Sequence, residues 1–266
     1  MPDEVQAAAE RLRQAGTLRR PCPSLRDLIG DDVARALAVR RHVLELQLIG
    51  GAVRVGAKVG PHASGGDAHR STGVLLDDML VANGAHVPTS RLLQARVELK
   101  LACTVLGELR ADPDDADVPT LEEVRAGVAV SLALEATDRR IVGTESSLVD
   151  DICDNAGAGV FVIGVDRAAV DLGPGPLPAR LELDGELTWR LNVSIDAALV
   201  DVRSLVLAWA AEGQVLRPGE VVLASPVGPA LPVTAGQHYA AYADGLAPVT
   251  MGFTTSSRLA TTEGHQ

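Results

Sequence analysis

The sequence predicts an α+β fold in which helices come first and a sheet-rich region with two inserted helices follows. Three observations carry this. Two N-terminal stretches space their apolar residues as helices do. From residue 91 onward, short runs rich in Val, Leu and Ile alternate with turn signals. No internal repeat is present that would indicate a solenoid or propeller. The expected division is a helical region with a pocket loop over 1–80, a mixed β-sheet region over 81–254, and a disordered tail over 255–266.

The elements follow in order. Residues 3–16 and 31–50 read as helices. In the second, Asp31 or Asp32 can cap the start, and Ala36, Val39, Val43, Leu46 and Leu48 approximate an apolar stripe. Gly50-Gly51 stops it. The connector RRPCPSLRDLIG is broken by proline. AVRVGAKVG, 52–60, reads as a short strand, PHASGGDAHRSTG, 61–73, as a Gly-rich loop, and VLLDDMLV, 74–81, as strand or turn. A strand over 94–107 precedes the acidic loop ADPDDADVP. Thr120 with Glu123 forms a capping-box signal for a helix running to about Ala133. LEATDRRI follows as a loop, and GVFVIG, 159–164, as a buried strand. Residues 177–193 read as a hairpin around Asp184-Gly185. A helix over 199–212 ends at Gly213, and 220–228 and 247–253 are further strands.

Composition excludes several classes. The formal net charge is -11, the wrong sign for nucleic acid or an anionic membrane surface. No uncharged apolar stretch reaches the length of a membrane span. The N-terminus is charged and amphipathic with no signal core, so a cytoplasmic location is expected. The three cysteines lack metal-ligand spacing, and Cys103 and Cys153 read as buried free thiols. Nucleotide, zinc-protease and serine-hydrolase motifs are absent.

Of 24 basic side chains only Lys58 and Lys100 are lysines. Lys100 lies in ARVELKLAC, 95–103, two residues from Glu98 and so on the same strand face. The other motifs are GAKVG with Lys58, LLDDM with Asp77 and Asp78, LEATDRRI with Glu135 and Arg140, and DNAGAGVFVIG with Asp154 and Asn155. In this order the set resembles the 2-hydroxypenta-2,4-dienoate hydratase and 4-oxalocrotonate decarboxylase group of the fumarylacetoacetate hydrolase superfamily, over roughly residues 30–254.

The resemblance implies a mixed β-roll of the fumarylacetoacetate hydrolase C-terminal type, a homo-oligomer, and a small carboxylate or carbonyl substrate. In that group a VExE strand and a Glu of the ExxDxRI segment hold Mg²⁺ or Mn²⁺, which stabilises the enolate of a 2-oxo acid. Here Glu98 and Glu135 match two metal positions, while the third is Lys100. An ammonium about 4 Å from a divalent ion costs on the order of 8 kcal/mol at an effective dielectric near 20. No cofactor is therefore expected, although Mg²⁺ or Mn²⁺ is the family norm.

Lys100 has three readings: a tethered cation in the metal's place, a Schiff-base nucleophile, or a structural ion pair. Carried over from the family, Lys58 and Asp78 are expected beside the substrate as catalytic groups with Lys100. His62, after GAKVGP, and Ser225, in LASPVG, are expected to bind substrate. Other departures are Gly157, where the family often has Ser, and Asp201-Val202-Arg203 in place of Gly-Asn-Pro. Arg140 reads as a partner of a nearby acid. The expected function is a hydratase/decarboxylase-like lyase on an enolisable 2-oxo or 2-hydroxydienoic acid, or a relative repurposed as an isomerase or biosynthetic catalyst. The alternatives are an inactive homologue that stabilises an active partner and a small-molecule binding protein.

Overall fold

The computed structural model describes residues 2–61, 70–111, 118–142, 147–173, 175–224 and 227–255. Three helices open the chain: α1 (Asp3–Leu18), the short α2 (Arg26–Ile29) and α3 (Val33–Ile49). Asp32 caps α3, its carboxylate accepting from the Arg35 N–H at 3.0 Å. The strands then begin: β1 (Arg54–Pro61), β2 (Arg70–Leu76), β3 (His86–Pro88) and β4 (Arg96–Val105). Helix α4 (Leu121–Ala126), strand β5 (Val128–Thr137) and helix α5 (Leu148–Cys153) follow. Next come β6 (Val160–Ile163), β7 (Arg167–Ala168), β8 (Pro176–Leu183) and β9 (Glu186–Ser194). Helix α6 (Ile195–Ala210) leads to β10 (Val221–Leu223), β11 (Val227–Pro232), β12 (His238–Ala243) and β13 (Leu246–Thr254).

Two mixed sheets pack face to face, in the manner of a roll. The larger runs β2-β1-β10-β4-β5-β6, with β11 also pairing β4 and β7 pairing β5; the smaller runs β3-β13-β12-β8-β9. Alternation on β4 decides which face goes where. Val97, Leu99, Leu101 and Cys103 point into the main core, where they join Leu181, Tyr239, Met251 and Phe253 of the smaller sheet. Helix α6 adds Leu199, Val202, Leu205, Val206 and Trp209 to that core, at the three-to-four spacing of one helix face. Glu98 and Lys100 are thereby placed on the outer face of the larger sheet. Strands from both sides of residue 80 share that sheet.

The helix expected from Thr120 to about Ala133 stops at Ala126. Its capping box is present: the Thr120 hydroxyl accepts from the Glu123 N–H, and the Glu123 carboxylate accepts from the Thr120 N–H at 2.7 Å. Gly127 ends the helix, and Val128–Thr137 pairs with β4 at ten consecutive positions. This strand is buried on both faces, so its apolar run carries no period-2 signature and reads equally well as helix. LEATDRRI is accordingly strand through Thr137 rather than all loop. The hairpin at Asp184-Gly185 forms as expected, with φ of 53° and 83°, the left-handed pair of a two-residue turn.

The N-terminal helices build a second core with α5, containing Val5, Leu12, Leu25, Ile29, Ala36, Val39 and Ile152. The Cys22 N–H donates to the Arg140 carbonyl, and the Val142 N–H donates to the Cys22 carbonyl, each at 2.8 Å. The helical region is thus fastened to the segment that leaves β5. The three cysteines are free and buried, and burial pushes the Cys103 and Cys153 thiols up to about 12. No helix among the described residues is long and apolar enough to cross a membrane.

Candidate active site

Three neighbouring strands bring four charges together on the outer face of the larger sheet. Lys58 comes from β1, Glu98 and Lys100 from β4, and Glu135 from β5. Register places Glu98 directly across from Glu135. Two carboxylates so opposed repel. The amines relieve this: Lys58 Nζ lies 2.6 Å from Glu135 Oε1, and Lys100 Nζ lies 3.1 Å from Glu98 Oε2 and 3.3 Å from Glu135 Oε2. The result is a buried chain of alternating sign, Lys58–Glu135–Lys100–Glu98, with no formal net charge.

Burial makes this cluster consequential, since each ion has lost its water and depends on its neighbours. The Glu135 side chain is 0 % exposed and that of Lys100 1 %, whereas Glu98 is 19 % exposed and forms the rim. The two amines are tuned apart. At Lys58, burial outweighs Glu135 and pulls the ammonium below its ordinary pKa, with repulsion from Lys100 adding to the effect. At Lys100, burial acts the same way, but Glu135 and Glu98 together overcome it and raise the pKa. At Glu98, burial is overcome by Lys100 and Lys58, and the carboxyl is held below its usual value. Lys100 is therefore a fixed cation, and Lys58 is the amine that releases its proton more readily.

The cluster opens onto a cavity of about 690 Å³ whose walls include Ser71, Gln94, Arg96, Thr137, Arg139 and Asp151. Arg139 Nη1 pairs with Asp151 Oδ1 at 3.1 Å. Glycine makes room at the floor. Gly73 stands opposite Lys58, and a Cβ there would lie 2.4 Å from the Asn155 carbonyl oxygen and 3.1 Å from Lys58 Cγ. Asn155, Ala156 and Gly157 are all left-handed, with φ of 54°, 55° and 60°. That turn aims the Asn155 amide at the outward edge of β2, where it accepts from the Val74 N–H at 2.7 Å and donates to the Val74 carbonyl at 2.8 Å. Asn155→Ala strips both partners from this edge strand. It is expected to lower stability by about 2 kcal/mol, read from the urea midpoint.

Asp78 is not part of this cluster. It is exposed in the 3-10 turn Asp77–Met79, its carbonyl accepts from Arg91, and it lines a separate cavity of about 500 Å³ beside α1 and α3. The turn after β2 carries it away from the face on which Lys58 lies. His62 and Ser225 fall outside the described residues, as do 62–69, 112–117 and 256–266 of the expected loops and tail. Arg140 is a structural partner, donating through Nε and its backbone N–H to the Asp154 carboxylate. Ser71, Gln94, Thr137 and Arg139 join the site only through cross-strand register, which no local motif displays.

The donor set does not fit a divalent ion. Hard cations take six or more oxygen ligands, or a few carboxylates with water. Here two carboxylates face one another with an ammonium between them and a second ammonium on the far side of Glu135. Glu135 Oε2 has no hydrogen-bond partner, but its nearest cation is Lys100. No cluster of three or more metal-ligating side chains exists among the described residues.

A mixed β-roll carrying charged residues on neighbouring strands of one sheet face defines the class: an α+β fold shared with solved structures of a 4-oxalocrotonate decarboxylase and a fumarylpyruvate hydrolase. The 4-oxalocrotonate decarboxylase from Pseudomonas putida G7, solved with magnesium and adipate, superposes with a TM-score of 0.84 at 21% identity, over 94% of this chain and 97% of that one. A 2-keto-4-pentenoate hydratase of Burkholderia vietnamiensis is 29% identical over 265 residues, which span 95% of this chain and 98% of the relative. A 4-oxalocrotonate decarboxylase of Pseudomonas sp is 29% identical over 235 residues, 83% of this chain and 87% of the relative. No protein-family model matches. The chain is similar along most of its length to these hydratases and decarboxylases.

Proposed function

We propose that this protein is a hydratase/decarboxylase-like lyase for an enolisable 2-oxo or 2-hydroxydienoic acid, and that the Lys100 ammonium takes the place of a divalent cation. One observation carries the reading: a fully buried ammonium held at 3.1 and 3.3 Å from two carboxylates, on the wall of a cavity large enough for a small acid. Full-length similarity to hydratases and a decarboxylase supports the reaction class.

The roles follow from the charges. Removal of a proton beside the 2-oxo group, or loss of carbon dioxide, places negative charge on the C2 oxygen. A fixed positive charge in a water-poor site stabilises that oxygen without reorganisation. Lys100 supplies it, and Glu98 and Glu135 keep it charged. Proton transfer falls to the Lys58–Glu135 pair, joined at 2.6 Å: the Lys58 ammonium passes a proton to the Glu135 carboxylate, and the amine so formed accepts the substrate proton and later returns it. Asp78, in its separate cavity, has no part in this step.

Deuterium exchange at C3 of a panel of 2-oxo acids, followed by NMR in excess chelator, tests the reading. Exchange is expected to persist without metal. Loss of exchange on chelation, restored by Mg²⁺ or Mn²⁺, would overturn it, and absence of exchange with every acid would favour an inactive homologue. In the reverse direction, Lys100→Glu removes the repelling ammonium and adds a carboxylate. Titration calorimetry is expected to show Mn²⁺ bound about a hundredfold or more tighter by the variant than by wild type.

A further inference from the structure

Five buried side-chain polar atoms lack a hydrogen-bond partner among the described residues: Ser71 Oγ, Thr104 Oγ1, Ser131 Oγ, Glu135 Oε2 and Trp189 Nε1. Buried polar groups are almost always paired, so each is a position where something is missing. Of the five, Ser71 lines the cavity that holds the two lysines. Its residue is 7 % exposed, so bulk water is not the partner.

Register explains where the hydroxyl stands. Ser71 pairs with Gly60 on β1, and Gly73 pairs with Lys58. Lys58 and Ser71 are thus diagonal neighbours on one face, with Cβ atoms about 7 Å apart. Both cross-strand partners are glycines, which add no side chain of their own to this face between Lys58 and Ser71. A serine hydroxyl is small, neutral and able to donate one hydrogen bond. A short molecule with oxygens at two carbons bridges a gap of this size.

We propose that Ser71 is a substrate-binding residue whose hydroxyl donates a hydrogen bond to an oxygen of a 2-oxo acid held beside Lys58 and Lys100. The inference rests on the lyase reading above and adds to it a second, uncharged point of recognition. Lys100 faces the oxygen that gains charge, and Ser71 holds a further oxygen of the same molecule, so that the two together orient it.

Pyruvate and oxalate serve as probes, with binding measured by calorimetry and ligand-observed NMR. Ser71→Ala is expected to weaken both about five- to tenfold. Ser71→Thr, which keeps the hydroxyl, is expected to stay within about twofold of wild type. The melting temperature of Ser71→Ala is expected to equal or exceed that of wild type, because the hydroxyl has no partner to lose among the described residues. A structural role would instead lower it. Equal binding by wild type and Ser71→Ala, or a lowered melting temperature with unchanged affinity, would overturn the inference and leave the lyase reading standing. Failure of wild type to bind either acid would overturn both.

Discussion

Glu135→Ala is expected to lower the stability of this protein by about 3–5 kcal/mol and to abolish turnover. Glu135 is the hub of the buried charges: one oxygen meets Lys58 and the other faces Lys100. Without it, the desolvated Lys100 ammonium keeps only Glu98, which sits at the rim. Lys58 is left with no carboxylate within ion-pair distance among the described residues. Breaking a buried pair from one side costs more than the pair contributed, because the orphaned ion has no water to return to. Glu98→Ala is expected to cost less, since Lys100 keeps Glu135 and the rim admits solvent. Urea unfolding of the two variants checks both statements. A Glu135→Ala midpoint equal to wild type would mean that the lysines are satisfied by other groups.

Lys100→Met is expected to reverse the acid side of the stability profile. In wild type the folded pKa of Glu98 is depressed, so its contribution is present above the unfolded value of about 4.3 and is lost as pH falls through the folded value. Stability therefore falls on acidification. Methionine fills the volume but removes the charge, leaving Glu98 and Glu135 opposed across β4 and β5. One carboxyl of such a pair has its pKa raised, so the variant gains stability as pH falls from 7 toward 5. The alkaline side carries a second signature. The folded pKa of Lys100 is raised, so its contribution is complete below about 10.4 and is lost as pH climbs through the folded value. Lys58 has the opposite sign, its folded pKa being lowered, so stability rises with pH between that value and about 10.4. Melting temperatures from pH 4 to 11 for wild type and Lys100→Met test these slopes. The same direction of acid response in both proteins would rule out the proposed charge arrangement.

Much of the frame was legible because it depends on local pattern. The capping box at Thr120, the left-handed pair at Asp184-Gly185 and the Asp32 cap are each written within four residues. The scarcity of lysine drew attention to Lys58 and Lys100, and the structure brings both into one cluster with Glu98 and Glu135. Residues 128–133 read as helix in the sequence because an apolar run buried on both faces has no period to display. Asp78 was grouped with the lysines on family resemblance, whereas the turn following β2 directs it to another cavity. Ser71 carries no signal in the sequence, because a serine in a Gly-rich stretch is ordinary until its hydroxyl is buried without a partner among the described residues.

The sequence by itself determined the alternation along β4 that sends Val97, Leu99 and Leu101 into the core and Glu98 and Lys100 to the other face, since side-chain direction in a strand depends only on parity. Only the tertiary structure decided which acid meets which amine, and that Ser71 stands beside Lys58. Those pairings come from the register between β1, β2, β4 and β5, which long-range packing sets and no single stretch of chain encodes.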